Sequence, residues 1–193
     1  MKYVITALIL AVSSFSVIAE VDASKLKKKK QTPQALYITA KEAYNDRVNN
    51  PLGSFFIDVR TRAEVEFVGM TSMIDANIPY MVHDKDGWNE KKKKFSMEPN
   101  SNFSVAFKDA LVKKGFDKNS KIIVMCRSGS RSAKAANLLD QLGFKNVYTV
   151  VDGFEGDKAK EGAQKGQRVV NGWKNAGLPW SYKLAEAKMY FEE

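Results

Sequence analysis

Apolar residues along this chain gather in short runs, separated by stretches with helical spacing. Phe55-Phe56-Ile57-Asp58-Val59, Lys121-Ile122-Ile123-Val124-Met125 and Val147-Tyr148-Thr149-Val150-Val151 are brief, rich in β-branched or aromatic residues, and predict strands. Ala76-Asn77-Ile78-Pro79-Tyr80 predicts a shorter one that ends at proline. Between these runs, Thr39 followed three residues later by Glu42 has the form of a capping box, and the helix it opens should stop near Asn49-Asn50-Pro51. Thr61-Arg62-Ala63-Glu64 repeats that start. Phe103, Phe107, Ala110 and Leu111 recur at helical spacing before Gly115, a stop residue. Ser132 to Leu142 predicts a helix with Ala133, Ala136 and Leu139 inward and Gly143 closing it. Strands alternating with helices predict an α/β fold: a central, mostly parallel sheet with helices on both faces. The charged stretch 81–100, with Asp86-Gly87 as a turn signal, predicts a loop.

The first residues change the picture of where the domain starts. Met1-Lys2 precede an apolar run of about ten residues, interrupted by Ser13, Ser14 and Ser16, and Val17-Ile18-Ala19 offers a cut after Ala19. A membrane-spanning helix needs about 20 mostly apolar residues. Residues 1–19 therefore predict a cleavable signal peptide, a periplasmic protein and no stable membrane insertion after cleavage. Residues 20–31 predict a flexible basic leader, and 32–193 a single domain carrying the 81–100 loop and a C-terminal extension.

The chain has 31 Lys and Arg against 22 Asp and Glu, a formal net charge of +9. Much of the excess is local: Lys25 and Lys27 to Lys30 in the leader, and Lys91 to Lys94 in the loop. Such runs serve either as solvated segments or as surfaces for anionic partners. Nucleic acid is not expected, because no aromatic residues interleave the lysines as stacking platforms.

Cys126 is the one cysteine, so no intrachain disulfide can form. It follows the most apolar predicted strand and precedes Arg127-Ser128-Gly129-Ser130-Arg131-Ser132 and a helix. Ligand sites of parallel α/β folds lie beyond the carboxyl ends of the strands, where this residue falls. The thiolate is the nucleophilic form of cysteine, and a helix N-terminus with two arginines favours it and any anion brought to it. Gly129 permits a turn that wraps amides around the sulfur, while Ser128 and Ser130 leave space for a ligand. His83, the one histidine, lies in the charged loop, so a cysteine–histidine arrangement is not supported. One cysteine and one histidine supply too few ligands for a typical metal site, and no cofactor is called for.

Four segments together resemble the rhodanese-like family over about Thr32 to Tyr182. Ile57-Asp58-Val59-Arg60-Thr61-Arg62-Ala63-Glu64-Val65-Glu66-Phe67 looks like its Asp-Val-Arg signature, and Asp75-Ala76-Asn77-Ile78-Pro79 like its second strand motif. Cys126 to Arg131 looks like its active-site loop, and Gly172-Trp173-Lys174-Asn175-Ala176-Gly177-Leu178-Pro179 like its terminal motif. The chain departs from the family at Gly69-Met70, at Met73-Ile74-Asp75-Ala76 and at Asp152. The resemblance implies a rhodanese-like fold and a sulfurtransferase. In it, Cys126 takes sulfur as a persulfide from a small anionic donor such as thiosulfate. A thiol, cyanide or a protein acceptor then removes it. Arg127 and Arg131 would steer the anion; Ser128, Gly129, Ser130 and Arg131 would supply amides; Asp58 and Arg60 would support the scaffold.

Two rival functions follow from the same residues. One is a persulfide carrier that serves a partner protein without turnover of its own. The other is a cysteine phosphatase, which needs a Cys-x5-Arg loop. That position is Ser132 here, while Arg131 fits the shorter Cys-x4-Arg loop.

Overall fold

The structure, a computed structural model, describes residues 21–191; the expected signal segment 1–19 lies outside them. Strands β1 (Tyr37–Ile38), β2 (Ser54–Asp58), β3 (Ala76–Asn77), β6 (Lys121–Met125) and β7 (Val147–Val150) form one parallel sheet in the order β1-β7-β6-β2-β3. Successive residues of a strand point to opposite faces. Both members of the pairs Phe55/Phe56 and Ile122/Ile123 are buried, because both faces of the sheet are covered.

One face packs Phe55, Ile57, Ile122 and Val124 against α3 (Phe103–Lys113) and α4 (Ser130–Gln141). The other packs Phe56, Ile123 and Met125 against α1 (Ala40–Asn49), α2 (Arg62–Val68) and the fully buried Trp173. The α/β expectation of a mostly parallel sheet with helices on both faces therefore holds. Both predicted capping boxes form. Thr39 Oγ1 accepts the Glu42 amide and Thr61 Oγ1 accepts that of Glu64, while each glutamate accepts the amide of its threonine.

Residues 81–100 differ from expectation. They form an antiparallel hairpin of β4 (Met81–Asn89) and β5 (Lys94–Pro99). Asp86-Gly87 is not its turn. The register jumps from the pair His83/Met97 to Trp88/Phe95, so residues 84–87 bulge opposite Ser96. The chain reverses at Glu90–Lys93, where Lys93 adopts φ 48°. The Trp88 and Phe95 rings meet edge to face at 5.4 Å. Trp88 is 47% exposed on this hairpin.

The leader also differs in part. Ala23–Lys25 and Lys28–Lys30 form short 3-10 turns, and Lys30 is only 5% exposed. Its ammonium donates to the Val151 carbonyl at 2.9 Å and pairs with Asp157 at 3.0 Å. The carboxylate and the carbonyl replace the water that a buried ammonium loses.

At the end of β2, Asp58 and Arg60 are both fully buried. Arg60 Nη2 donates to Asp58 at 2.7 Å and to the Gly69 carbonyl at 2.9 Å, and its guanidinium lies 3.9 Å from the centre of the Phe154 ring. Asn77 Nδ2 ties down the carbonyls of Asp58 and Arg60. Each partner answers the other's charge inside the core, and removal of one strands a buried charge. Asp58→Ala is expected to lower unfolding free energy by about 3–5 kcal/mol in urea titration; a loss under about 1 kcal/mol would show that Arg60 finds other compensation.

Candidate active site

Cys126 leaves the carboxyl end of the central strand β6, and the chain turns through Gly129 into α4. Gly129 has φ 90°, and a Cβ there would stand 2.2 Å from the Val151 carbonyl oxygen, so no other residue fits. The Gly129 amide donates to Cys126 Sγ at 3.2 Å, and Ser132 Oγ lies 3.5 Å from the sulfur. Among the described residues, the Gly129 amide is the one within hydrogen-bond reach of it. The helix starts at Ser130, two residues before the expected Ser132. The cysteine itself is 1% exposed.

The loop is clamped from behind by the turn after β7. Phe154 donates its amide to the Cys126 carbonyl at 2.8 Å, and Glu155 and Gly156 donate theirs to the Arg127 carbonyl at 2.9 and 3.2 Å. This approach needs Gly153, with φ 65°. A Cβ there would lie 2.4 Å from the Cys126 carbonyl oxygen and 2.6 Å from the Ser128 amide nitrogen. Asp152, where the family often has glycine, is buried and accepts the amides of Ala40 and Gly172. It links α1 to the Gly-Trp segment. Burial raises its carboxyl above the ordinary range, against the pull of those amides.

The two loop arginines have different surroundings. Arg131 forms a two-point pair with Glu64, 2.6 Å and 2.5 Å long, and is largely buried. Burial alone would raise the Glu64 carboxyl. The Arg131 bonds and charge, the Thr61 amide and the Arg127 charge outweigh it and hold the group at about 2. Arg127 is 42% exposed and touches Glu64 and Glu155 only at 4.0 and 3.9 Å. It is the more available cation for an incoming anion.

Beside these arginines a cleft of about 510 Å³ runs to the hairpin, lined by Lys92, Lys94, Phe95, Arg127, Ser130 and Lys134, among others. Lys94 is held below its ordinary range by partial burial and by the charges of Arg127, Lys92 and Arg131. His83 is exposed on β4 and also lines this cleft. Among the described residues no group of three or more His, Cys, Asp and Glu is placed to hold a metal ion.

Sequence reasoning missed Glu64 as a site residue, because its capping role already explained it. It also missed Ser132, Gly153 and Lys30. A Cys-x4-Arg loop whose arginine needs a buried acid would have been the signal for Glu64.

Glu64 gives a pH prediction. Its folded-state carboxyl lies below its unfolded value of about 4.5, so the pair stabilises the fold above that pH and is lost as pH falls toward about 2. Glu64→Gln retains the capping geometry and removes the charge. Its unfolding free energy is expected to fall less steeply than wild type across that interval. Parallel acid profiles would show that the pair contributes nothing.

The match to the family model described as the rhodanese-like domain covers residues 39–160. An uncharacterised protein of Rickettsia prowazekii is 34% identical over 145 residues, which is 75% of this chain and 96% of that one. A thylakoid rhodanese-like protein of Oryza sativa is 24% identical over 75% of this chain, but only 25% of its own length. The crystal structure of the Mycobacterium tuberculosis protein Rv0390 superposes with a TM-score of 0.56 and 28% identity, over 76% of this chain and 97% of that one. By the extent of that match and the identity of these relatives, the chain belongs to the rhodanese-like domain family.

Proposed function

We propose that the protein is an exported sulfurtransferase that carries sulfur as a persulfide on Cys126, with thiosulfate or a similar small anion as donor. The observation that carries this reading is the seat of the chain's one thiol. It lies at the end of the central strand, with the Gly129 amide on the sulfur and the half-exposed Arg127 at the lip. A deprotonated Cys126 attacks the outer sulfur of thiosulfate. The new S–S bond forms as the old one breaks, and the electron pair leaves with sulfite. An acceptor thiolate then attacks the outer sulfur of the persulfide, takes it as its own persulfide, and returns the electron pair to Cys126. The chemistry needs no resident cofactor and no histidine base. Export rests on the sequence of residues 1–19.

Each group in the site has a part in this cycle. The Gly129 amide donates to negative charge on either the thiolate or the persulfide. Arg127 offsets the donor's charge, and Arg131, committed to Glu64, positions the loop. A persulfide places its outer sulfur about 2 Å beyond Sγ, which helps a nearly buried cysteine meet an acceptor. The phosphatase reading loses support from this placement. Ser132, at the Cys-x5 position, lies against the sulfur, and Arg131 is neutralised by a carboxylate.

Intact mass after thiosulfate treatment tests the proposal. Wild type is expected to gain one sulfur, lost again on reduction, and Cys126→Ser to gain none; loading in the serine variant would sink the mechanism. Turnover with a small thiol acceptor separates enzyme from carrier, since a carrier would load fully and then turn over only with a protein partner. Arg127→Gln is expected to raise the thiosulfate KM roughly tenfold with kcat within about twofold, as loss of uniform binding does. An unchanged KM would remove Arg127 from donor binding.

A further inference from the structure

A second cationic groove, of about 440 Å³, opens at Ser128 of the active-site loop. One wall is the leader, with Lys27 and Lys29; the other is the stretch 157–168, with Lys158, Lys160 and Lys165. The groove is built rather than incidental. Lys30 locks the leader to Val151 and Asp157, and its side chain packs against Gly129, where an added Cβ would come 3.2 Å from Lys30 Cδ. The 157–168 stretch is pinned by a bridge between Lys158 and Arg168, by the Ala159 amide on the Gln167 carbonyl, and by Arg168 on the Gly156 carbonyl.

The charge balance points to an anionic occupant. Asp157 is the one carboxylate lining the groove, and it is engaged by Lys30 at 3.0 Å and Lys27 at 3.8 Å. Among the described residues Lys29, Lys158, Lys160 and Lys165 have no carboxylate partner, and all four are exposed. Arg168 lies below its ordinary range through burial and the charge of Arg127, with Glu155, Asp157 and Cys126 pulling the other way. The groove adjoins the cysteine loop at Ser128.

Shape narrows the ligand. A small inorganic anion needs donors that converge on one point, whereas these ammonium groups stand on two separate segments along an open channel. A bilayer presents a plane, and these lysines line a concave channel. An extended polypeptide with acidic side chains fits an open channel with lysines on both walls. We propose that this groove docks an acidic segment of the protein acceptor, whose thiol is thereby held beside Cys126. The acceptor role rests on the sulfurtransferase reading, while the docking itself does not.

The test uses fluorescence anisotropy with a labelled peptide of alternating glutamate and glycine, about ten residues long and so roughly 35 Å extended. The protein is compared with Lys158→Glu/Lys165→Glu and with Lys108→Glu/Lys113→Glu, a charge-matched control on α3. The groove variant is expected to bind the peptide roughly tenfold or more weakly, and the control to stay within about twofold of wild type. Equal weakening in both variants would overturn the proposal, since net charge alone would then explain binding. Equal peptide binding by all three, with phosphatidylglycerol vesicles bound by wild type and released by the groove variant, would overturn it in favour of a lipid surface. Sulfur loading of Cys126 by thiosulfate, read by mass in parallel, is expected to be unchanged in the groove variant. Failure of wild type to load would overturn the acceptor role together with the sulfur reading, while the peptide contrast would still decide the docking site.

Discussion

The site depends on three backbone hydrogen bonds, from the amides of Phe154, Glu155 and Gly156 to the carbonyls of Cys126 and Arg127. A chain leaving a central strand buries its carbonyls where no neighbouring strand continues, and a buried carbonyl must find a donor. The turn after β7 supplies those donors, at the cost of a left-handed Gly153 pressed against the loop. Phe154 in turn lies against Arg60, which is fixed by Asp58 and Gly69. The buried pair at the end of β2 therefore acts on the cysteine without touching it. It holds the ring beside the amide that holds the loop. This explains how two residues with no chemical step of their own can matter to the shape of the cradle.

The same loop separates two uses of positive charge. Arg131 is engaged by Glu64, which offers it a planar two-point partner in a largely buried setting, where such pairs are short and specific. Arg127, at the lip, keeps two carboxylates at the limit of ion-pair distance and retains its freedom to meet a ligand. Two arginines equivalent in sequence thus diverge through one acidic residue, placed by a capping box on α2.

The sheet, its helices and the seat of Cys126 were legible because they rest on local patterns: apolar runs, capping boxes and a strand followed by a glycine-containing loop. Gly129 was readable for the same reason. The hairpin was not, because Asp86-Gly87 mimics a turn while it forms a bulge, and because Trp88 and Phe95 are brought together by pairing across the strands. Lys30 was hidden in a run of lysines identical to the eye. Its burial depends on Asp157 and Val151, more than a hundred residues away, and no local pattern encodes that. Glu64 and Gly153 failed for a related reason. Each satisfies a local rule, a cap and a turn, and its second role exists only once the sheet has brought distant segments together.

Burial of the thiol decides how the surrounding charge can act. With Cys126 1% exposed, few ligand atoms can reach the sulfur at once, so most of the binding contacts of a donor or acceptor must lie outside the cradle. Two charged elements flank the loop. The hairpin brings Lys92 and Lys94 to one cleft beside the loop, and the leader with the 157–168 stretch brings lysines to another. Neither element contributes a hydrogen bond to the sulfur. In the proposed cycle the hairpin lysines would draw a small donor anion and the groove lysines an acidic segment, while the narrow cradle sets which atom arrives, since charge acts over about a Debye length and a hydrogen bond over about 3 Å. In that cycle capture and selection would fall to different residues, the lysines outside and the loop that holds the cysteine.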